Sequence, residues 1–145
     1  MTLREDPIFY TLFFDGCSKG NPGRAGAGAV LYKNQVEVYA NSLFVGEKET
    51  NNVAEYNGLL MGLREAVARD VKNLAVKGDS LLIIKQLNGE YKVNSPAMKP
   101  LYQEAKNLSS FFDHVTFEHV YRTENKRADA LANMGLMANM ALLSK

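Results

Sequence analysis

The sequence has one cysteine, no tryptophan and only two histidines among its 145 residues. A single cysteine, Cys17, excludes an intramolecular disulfide and favours a reducing compartment. Without a cluster of Cys and His, a zinc site is not expected. No segment approaches the roughly 20 apolar residues of a membrane span, and residues 1–6 lack the apolar core of a signal peptide. These absences predict an intracellular, cytoplasmic protein with no membrane partner.

The sequence also has no large excess of one charge: it contains 17 Lys and Arg residues and 16 Asp and Glu residues, which gives a net charge of +1. Any surface that binds a polyanion must therefore use a local cluster of lysine and arginine. The length fits one domain. We expect a single, monomeric domain over residues 1–145, with a core of about 8–134 and a terminal helix of about 124–143.

Apolar segments and the links between them predict the fold class. Strands are expected at Phe9–Asp15, Ala25–Tyr32 and Val36–Val45, joined by short links that make an antiparallel meander. Two later strands, near residues 74–77 and 115–121, are separated by helical segments. The order β-β-β-α-β-α-α-β-α predicts an α/β fold: a mixed five-stranded sheet with helices on both faces.

Helix signals place the connections between these strands. Thr50, Asn51 and Asn52 are typical capping residues, so a helix is expected over 53–69 with Glu55 in its first turn. Further helices are expected at 81–87 and 96–111, and a terminal helix continues through Leu143. Its methionines are expected to pack inward, because methionine commonly fills irregular gaps in a core; they are Met134, Met137 and Met140.

Four carboxylates lie where these elements can bring them together. Asp15 and Asp79 each end a strand, Glu55 begins a helix, and Asp129 lies near the start of the terminal helix. Taken singly, each has an ordinary explanation as a solvated strand end, a helix cap or a surface charge. Gathered together, they would repel one another unless cations neutralised them. Mg²⁺ prefers such oxygen ligands, and a pair of ions can clamp a phosphodiester.

Four segments, in order and spacing, resemble type 1 ribonuclease H. They are Asp15–Gly23 (DGCSKGNPG), Thr50–Tyr56 (TNNVAEY), Lys77–Ser80 (KGDS) and Arg122–Ala132 (RTENKRADALA). Each segment alone is a weak signal, whereas all four in order are a strong one. The resemblance covers residues 9–133. The sequence GEYKV at 89–93 is similar to that of the compact bacterial, archaeal and plant-like form.

The resemblance implies a ribonuclease H-like fold and a metal-dependent endoribonuclease that cuts the RNA strand of RNA–DNA hybrids. It implies that Asp15, Glu55, Asp79 and Asp129 are catalytic and bind two Mg²⁺ or Mn²⁺ ions. These ions would activate a water and stabilise the departing oxygen, leaving 5′-phosphate and 3′-hydroxyl ends. The residues implied to contact substrate are Gly16, Asn21, Thr50, Asn51, Asn52 and Ser80. The residues at 50–52 have helix capping as an alternative role.

The sequence also departs from many members of that family. A histidine in a flexible loop before the last aspartate is absent, and His119 lies inside a strand pattern. The candidates for an auxiliary role are therefore His119 itself, Arg122 and Glu124, with a structural role as the alternative for His119. The basic protrusion that some members use to grip the hybrid is reduced to three candidates, which are Lys92, Lys99 and Lys106. Cys17 has no evident histidine partner, so a nucleophilic thiol is not expected.

Two other functions remain open at this point. One is a catalytically silent nucleic-acid-binding module of the same fold, which the presence of all four carboxylates disfavours. The other is a different nuclease of the superfamily, such as an integrase, a resolvase or an exonuclease. The Thr-Asn-Asn and Asn-Pro-Gly segments argue against that possibility.

Overall fold

A computed structural model describes residues 7–138, and its centre is a five-stranded sheet. The strands are β1 (Tyr10–Lys19), β2 (Gly23–Lys33), β3 (Val36–Glu49), β4 (Asn73–Gly78) and β5 (His114–His119). They lie in the order β3-β2-β1-β4-β5. β1, β2 and β3 pair antiparallel, whereas β4 pairs parallel with both β1 and β5. The predicted meander and mixed five-stranded sheet are confirmed.

Four α-helices and a short 3₁₀ turn at Arg122–Glu124 complete the described residues. The helices are α1 (Asn51–Ala68), α2 (Leu81–Leu87), α3 (Lys99–Ser109) and α4 (Lys126–Met137). α1 packs on the sheet face that carries Leu12 and Phe14, and α4 packs on the opposite face against Val30. Both faces are therefore covered by helices, as expected. Within residues 7–138 no helix is long and apolar enough to cross a membrane.

Two glycines let α1 and α4 lie directly on the sheet backbone. A Cβ atom on Gly16 would overlap the backbone nitrogen of Glu55, and one on Gly28 would lie 2.6 Å from the Ala128 carbonyl oxygen. Neither position has room for a side chain. Gly28 is also the partner of Asp15 across the β1–β2 ladder. The starts of both helices are thus held against the same end of β1.

Two helices begin at different residues from those expected. α1 begins at Asn51, because the Thr50 hydroxyl alone accepts the capping hydrogen bond, from the N–H of Val53 at 3.2 Å. Glu55 is consequently the fifth helical residue and lies beyond the first turn. α3 begins at Lys99 instead of residue 96, with a proline in its first two positions, where its missing N–H is not needed.

Within the described residues, the helix expected over 124–143 is α4, which runs from Lys126 to Met137. A separate 3₁₀ turn precedes α4, which ends at Met137 because Ala138 adopts extended backbone angles. The guanidinium of Arg24 donates hydrogen bonds to the carbonyl oxygens of Leu136 and Ala138, and so caps this end. The rest of the expected helix, including Met140 and Leu143, lies outside the described residues.

The two described methionines of α4 do not pack inward. Met134 and Met137 are 60% and 61% exposed. The buried side of α4 is formed instead by residues such as Leu131 and Leu136. The expectation of inward methionines is therefore wrong for these two, because the helix presents its leucine and alanine row to the sheet.

Candidate active site

Three carboxylates converge beside the end of β4. Asp15 was expected to end its strand, but β1 continues past it to Lys19 because its pairing with β2 continues. Asp15 lies in β1, Asp79 directly follows β4, and Glu55 projects from α1. One carboxylate oxygen from each lies within 4.8 Å of the others. The two aspartates are neighbours because the parallel β1–β4 ladder ends at the pair Phe14–Gly78, one residue before each of them.

Asp129 approaches the same place from α4, on the other face of the sheet. It is not part of the three-carboxylate group, but it lies close enough to Asp15 that its side chain raises the pKa of that carboxyl group. The side-chain amide of Asn133 donates to the main-chain oxygen of Asp129 at 3.0 Å and to its Oδ1 at 3.4 Å. The structure thus groups three of the four predicted acids tightly and places the fourth against Asp15.

The electrostatic environment of Asp15 favours its protonated form. Its side chain is only 6% exposed, and this burial is the main cause that raises its pKa from 3.8 to about 8. The negative charges of Asp79 and Glu55 and the contact with Asp129 raise the pKa further, while the hydrogen bond from the Gly16 N–H, at 2.9 Å, opposes them. At neutral pH and without a cation, Asp15 therefore retains its proton.

The environment of Glu55 also favours its protonated form. Burial is the main cause that raises its pKa from 4.5 to about 7, and the charge of Asp79 adds to the rise. A hydrogen bond from the Ser80 hydroxyl and the charge of Arg122 oppose it. The Ser80 hydroxyl also caps α2, since it accepts from the N–H of Ile83 at 3.3 Å. Asp79, considered above as a possible cap, is therefore free to face the other acids.

The predicted substrate-contacting asparagines form a chain of hydrogen bonds beside the site. The Oδ1 atom of Asn21 accepts from the N–H of Asn51 at 3.0 Å, and the Oδ1 of Asn51 accepts from the N–H of Ser18 at 2.7 Å. Both side-chain oxygens are thus occupied. Within residues 7–138 neither side-chain NH₂ group donates to a protein acceptor, and the half-buried Asn52 makes no side-chain hydrogen bond. Among the described residues, Asn21 and Asn51 therefore each keep a side-chain NH₂ group that is available to donate a hydrogen bond.

The three auxiliary candidates lie near the ends of β4 and β5. His119 is the last residue of β5, pairs with Gly78, and packs edge-on against Tyr121, with 5.8 Å between ring centroids. Arg122 and Glu124 are exposed in the 3₁₀ turn. Of the three, Arg122 is the one whose charge lowers the pKa of Glu55. Arg122 is therefore the candidate whose charge acts on a carboxylate of the site.

The lysines expected to contact the hybrid separate into two environments. Lys92 and Lys99 line an open groove beside Tyr91, between the residues that follow α2 and the start of α3. Lys106 instead donates to the carbonyl oxygen of Leu87 at 3.4 Å. Lys85, which the sequence did not single out, places its Nζ atom 4.9 Å from the centroid of the Tyr91 ring. The basic surface is therefore built around an aromatic ring.

Two buried contacts that were not predicted from the sequence join the elements of the site. The Tyr56 hydroxyl donates to Oε1 of Gln86 at 2.6 Å and links α1 to α2. The Asn125 side-chain amide donates to the carbonyl oxygen of Phe14 at 3.0 Å and links the start of α4 to β1. Tyr56 directly follows Glu55, and Asn125 is a cap-type residue just before a helix. These sequence positions were the signals from which the two contacts could have been predicted.

The chain matches a family model described as reverse transcriptase-like over residues 13–135. A bifunctional protein of Mycobacterium tuberculosis is 44% identical over 120 residues, which cover 82% of this chain and 33% of that protein. A ribonuclease HI of Halobacterium salinarum is 39% identical over 124 residues, covering 86% of this chain and 62% of the relative. The chain thus spans only part of the length of these relatives.

Solved structures show the same fold. The N-terminal RNase H domain of a Mycobacterium tuberculosis protein, solved as a fusion with maltose-binding protein, has a TM-score of 0.88 at 38% identity and covers 96% of this chain and 100% of that chain. LC11-RNase H1, solved in complex with an RNA/DNA hybrid, has a TM-score of 0.82 at 31% identity and covers 92% and 99%. The sheet order described above is that of these structures.

Proposed function

The chain belongs to the type 1 ribonuclease H family, and on that premise we propose that it is a metal-dependent endoribonuclease that hydrolyses the RNA strand of RNA–DNA hybrids. The observation that carries the proposal is the group formed by Asp15, Glu55 and Asp79, whose oxygens lie within 4.8 Å of one another. Three acids this close are unfavourable unless a cation joins them.

The donor set fits hard divalent cations. The group contains carboxylate oxygens and neither Cys nor His, which suits Mg²⁺ or Mn²⁺ and not zinc. Asp15, Glu55, Asp79 and Asp129 would hold two such ions. When bound, the ions supply the positive charge that activates a water and stabilises the leaving oxygen, so that 5′-phosphate and 3′-hydroxyl ends result.

The residues around the acids are suited to position a nucleic acid. Because the oxygens of Asn21 and Asn51 already accept protein hydrogen bonds, their NH₂ groups are left to donate to phosphate oxygens or to base edges in the minor groove. The Thr50 hydroxyl accepts the N–H of Val53 and keeps its own proton for a phosphate. Asn52, Gly16 and Ser80 complete the proposed substrate contacts, and a 2′-hydroxyl lets such a site select RNA over DNA.

Two nearby groups have narrower roles. Arg122, whose charge lowers the pKa of Glu55, is the proposed auxiliary residue, since a guanidinium can hold a phosphate oxygen in two hydrogen bonds. The Cys17 thiol is not a nucleophile in this proposal, because burial and the charge of Asp15 raise its pKa and keep it protonated.

The test is cleavage of an end-labelled RNA–DNA hybrid with Mg²⁺, with Mn²⁺ and with EDTA. We expect internal cuts in the RNA strand with either metal and none in EDTA. DNA–DNA and RNA–RNA duplexes of the same sequence are the controls and should remain intact. Cutting in EDTA, or equal cutting of the DNA duplex, would refute the proposal.

A further inference from the structure

Asn125 is one of four buried polar or charged side chains in the described residues, and it is only 1% exposed. Its Nδ2 atom donates to the carbonyl oxygen of Phe14 at 3.0 Å, across 111 positions of sequence. Phe14 is the residue before Asp15. This hydrogen bond therefore joins the start of α4 to the point on β1 from which the first carboxylate projects.

The main chain of Asn125 holds the two functional segments on either side of it. Its N–H donates to the carbonyl oxygen of Arg122 at 3.0 Å, which closes the 3₁₀ turn. Its own carbonyl oxygen accepts from the N–H of Asp129, also at 3.0 Å, which forms the first turn of α4. Arg122, Asp129 and the strand residue before Asp15 are thus all bonded directly to one buried residue.

The location of this contact matters because the β1–β4 ladder ends there, at the pair Phe14–Gly78. Beyond that pair, β1 is held by its ladder with β2, in which Asp15 pairs with Gly28, and α4 packs directly on Gly28. The Asn125 amide adds a directed side-chain hydrogen bond between the start of α4 and β1 at the same level. This bond links the helix that carries Asp129 to the residue next to Asp15.

The other polar atom of Asn125 shows that the residue is not there for packing alone. Its Oδ1 atom is buried and has no hydrogen-bond partner within residues 7–138. A buried acceptor without a partner is unfavourable, and an apolar side chain of similar size would avoid that penalty. An apolar side chain could not donate a hydrogen bond to the carbonyl oxygen of Phe14. That hydrogen bond is what distinguishes Asn125 from an apolar residue at this position.

We infer that Asn125 is a positioning residue: it sets the separation between Asp129 and Asp15, and so determines how well Asp129 joins the other three acids in binding divalent cations. The inference rests on the proposed function. It extends that function to a residue that touches neither substrate nor metal and acts through Asp129.

A double-mutant cycle on Mn²⁺ binding tests this directly, since calorimetry of Mn²⁺ alone requires no turnover. Asn125→Ala should weaken Mn²⁺ binding by about tenfold, the scale seen when residues that support metal ligands are removed. Asp129→Asn should weaken it by at least as much. If Asn125 acts through Asp129, the double variant binds Mn²⁺ no more weakly than Asp129→Asn does. Losses that multiply in the double variant would overturn the inference.

Turnover of the RNA–DNA hybrid gives a second readout. Asn125→Ala should lower kcat by about tenfold and leave KM within about twofold, because substrate contacts are intact. The matched control is Leu131→Val, a substitution in the same helix as Asp129. It removes part of the packing of Leu131 against Val30 of β2 and does not involve Phe14. It should lower the melting temperature yet keep kcat and Mn²⁺ affinity. An equal loss of kcat in both variants would mean that Asn125 is merely structural.

The outcomes separate the two proposals. If the unmodified protein does not cleave the hybrid, the proposed function fails, while the Mn²⁺ cycle still tests the positioning role. If the unmodified protein cleaves and Asn125→Ala binds Mn²⁺ normally, only the positioning role fails. Should Asn125→Ala not fold, Asn125→Ser takes its place in the same cycle, because its shorter side chain removes the bond to Phe14 and keeps a polar group.

Discussion

Asp15 has the least favourable electrostatic environment of the site, because burial, and after it the charges of nearby carboxylates, raise its pKa to about 8. Asn at this position keeps an oxygen that can accept the Gly16 N–H, adds a donor toward Asp129 and carries no charge. Asp15→Asn should therefore abolish hybrid cleavage and, in EDTA near pH 8, raise the free energy of unfolding by about 2 kcal/mol. Urea unfolding and the cleavage assay check the two parts. Retained turnover would contradict the metal-site assignment.

Arg122 makes a separate prediction at the level of one residue. If its guanidinium assists the reaction, Arg122→Ala should lower kcat by about 10²-fold, and Arg122→Lys should recover part of that loss because a charge remains. His119→Ala and Glu124→Ala are the matched comparisons, and steady-state kinetics on one hybrid measures all four. A larger loss in His119→Ala than in Arg122→Ala would assign the auxiliary role to the histidine.

Helix α4 shows how an element positions a residue. A Cβ on Gly28 would lie 2.6 Å from both the Ala128 carbonyl oxygen and the Ala132 nitrogen, so Gly28→Ala must displace α4 and with it Asp129. We expect a loss of about 2–4 kcal/mol in the free energy of unfolding, which is the range for overpacking at a rigid contact, and a fall in hybrid cleavage. Chemical denaturation measures the loss of stability, and the cleavage assay measures the fall in activity.

Gly46→Ala in β3 is the control for that substitution. Its Cβ would meet only the flexible side chain of Glu49, which can move aside. We expect a change in stability within about 0.5 kcal/mol and normal turnover. If Gly28→Ala behaved in the same way, the close contact between α4 and β2 would not set the position of Asp129.

At the same scale, strands and helices were predictable while their ends were not. The apolar segment before Asp15 and the Thr50 cap are local signals, and they gave β1 and α1 to within a few residues. The end of α4 is decided by Arg24, which is distant in sequence and caps the carbonyl oxygens of Leu136 and Ala138. Periodicity along the helix carries no information about such a partner.

At the scale of the whole molecule, the raised pKa values of the buried acids make stability depend on pH. Asp15 and Glu55 have ordinary pKa values of 3.8 and 4.5 and folded values of about 8 and about 7. Between these values the folded chain binds more protons than the unfolded chain does, so the contribution of the two groups falls as pH rises. In EDTA, the free energy of unfolding should be lower near pH 8 than near pH 5, by on the order of 3 kcal/mol.

Mg²⁺ or Mn²⁺ should remove most of that difference, because cations bind the ionised carboxylates of the folded state and stabilise it by mass action. Thermal unfolding at both pH values, with each metal and with EDTA, measures the effect. Asp15→Asn is the internal control and should flatten the metal-free profile. A stability that rises from pH 5 to pH 8 in EDTA would contradict the raised pKa values.

The site was predictable from the sequence to the extent that its residues have chemistry of their own. Asp15, Glu55 and Asp79 are acids that follow apolar or helix-capping segments, and the structure brings them within 4.8 Å of one another. The contacts of Asn125 and Tyr56 were not foreseen, since an asparagine before a helix and a tyrosine on an apolar stripe have ordinary roles. Their partners, Phe14 and Gln86, are defined only once the chain is folded.

Asp15 lies in the first strand and Asp129 in the last described helix, and the side chain of Asp129 raises the pKa of Asp15. A ribosome synthesises this chain from one to the other. The strand emerges early, but α4 cannot dock until residues near 129 have left the exit tunnel. A growing chain thus has no complete set of acids until α4 has docked, so the proposed nuclease acquires its fourth carboxylate last of the four.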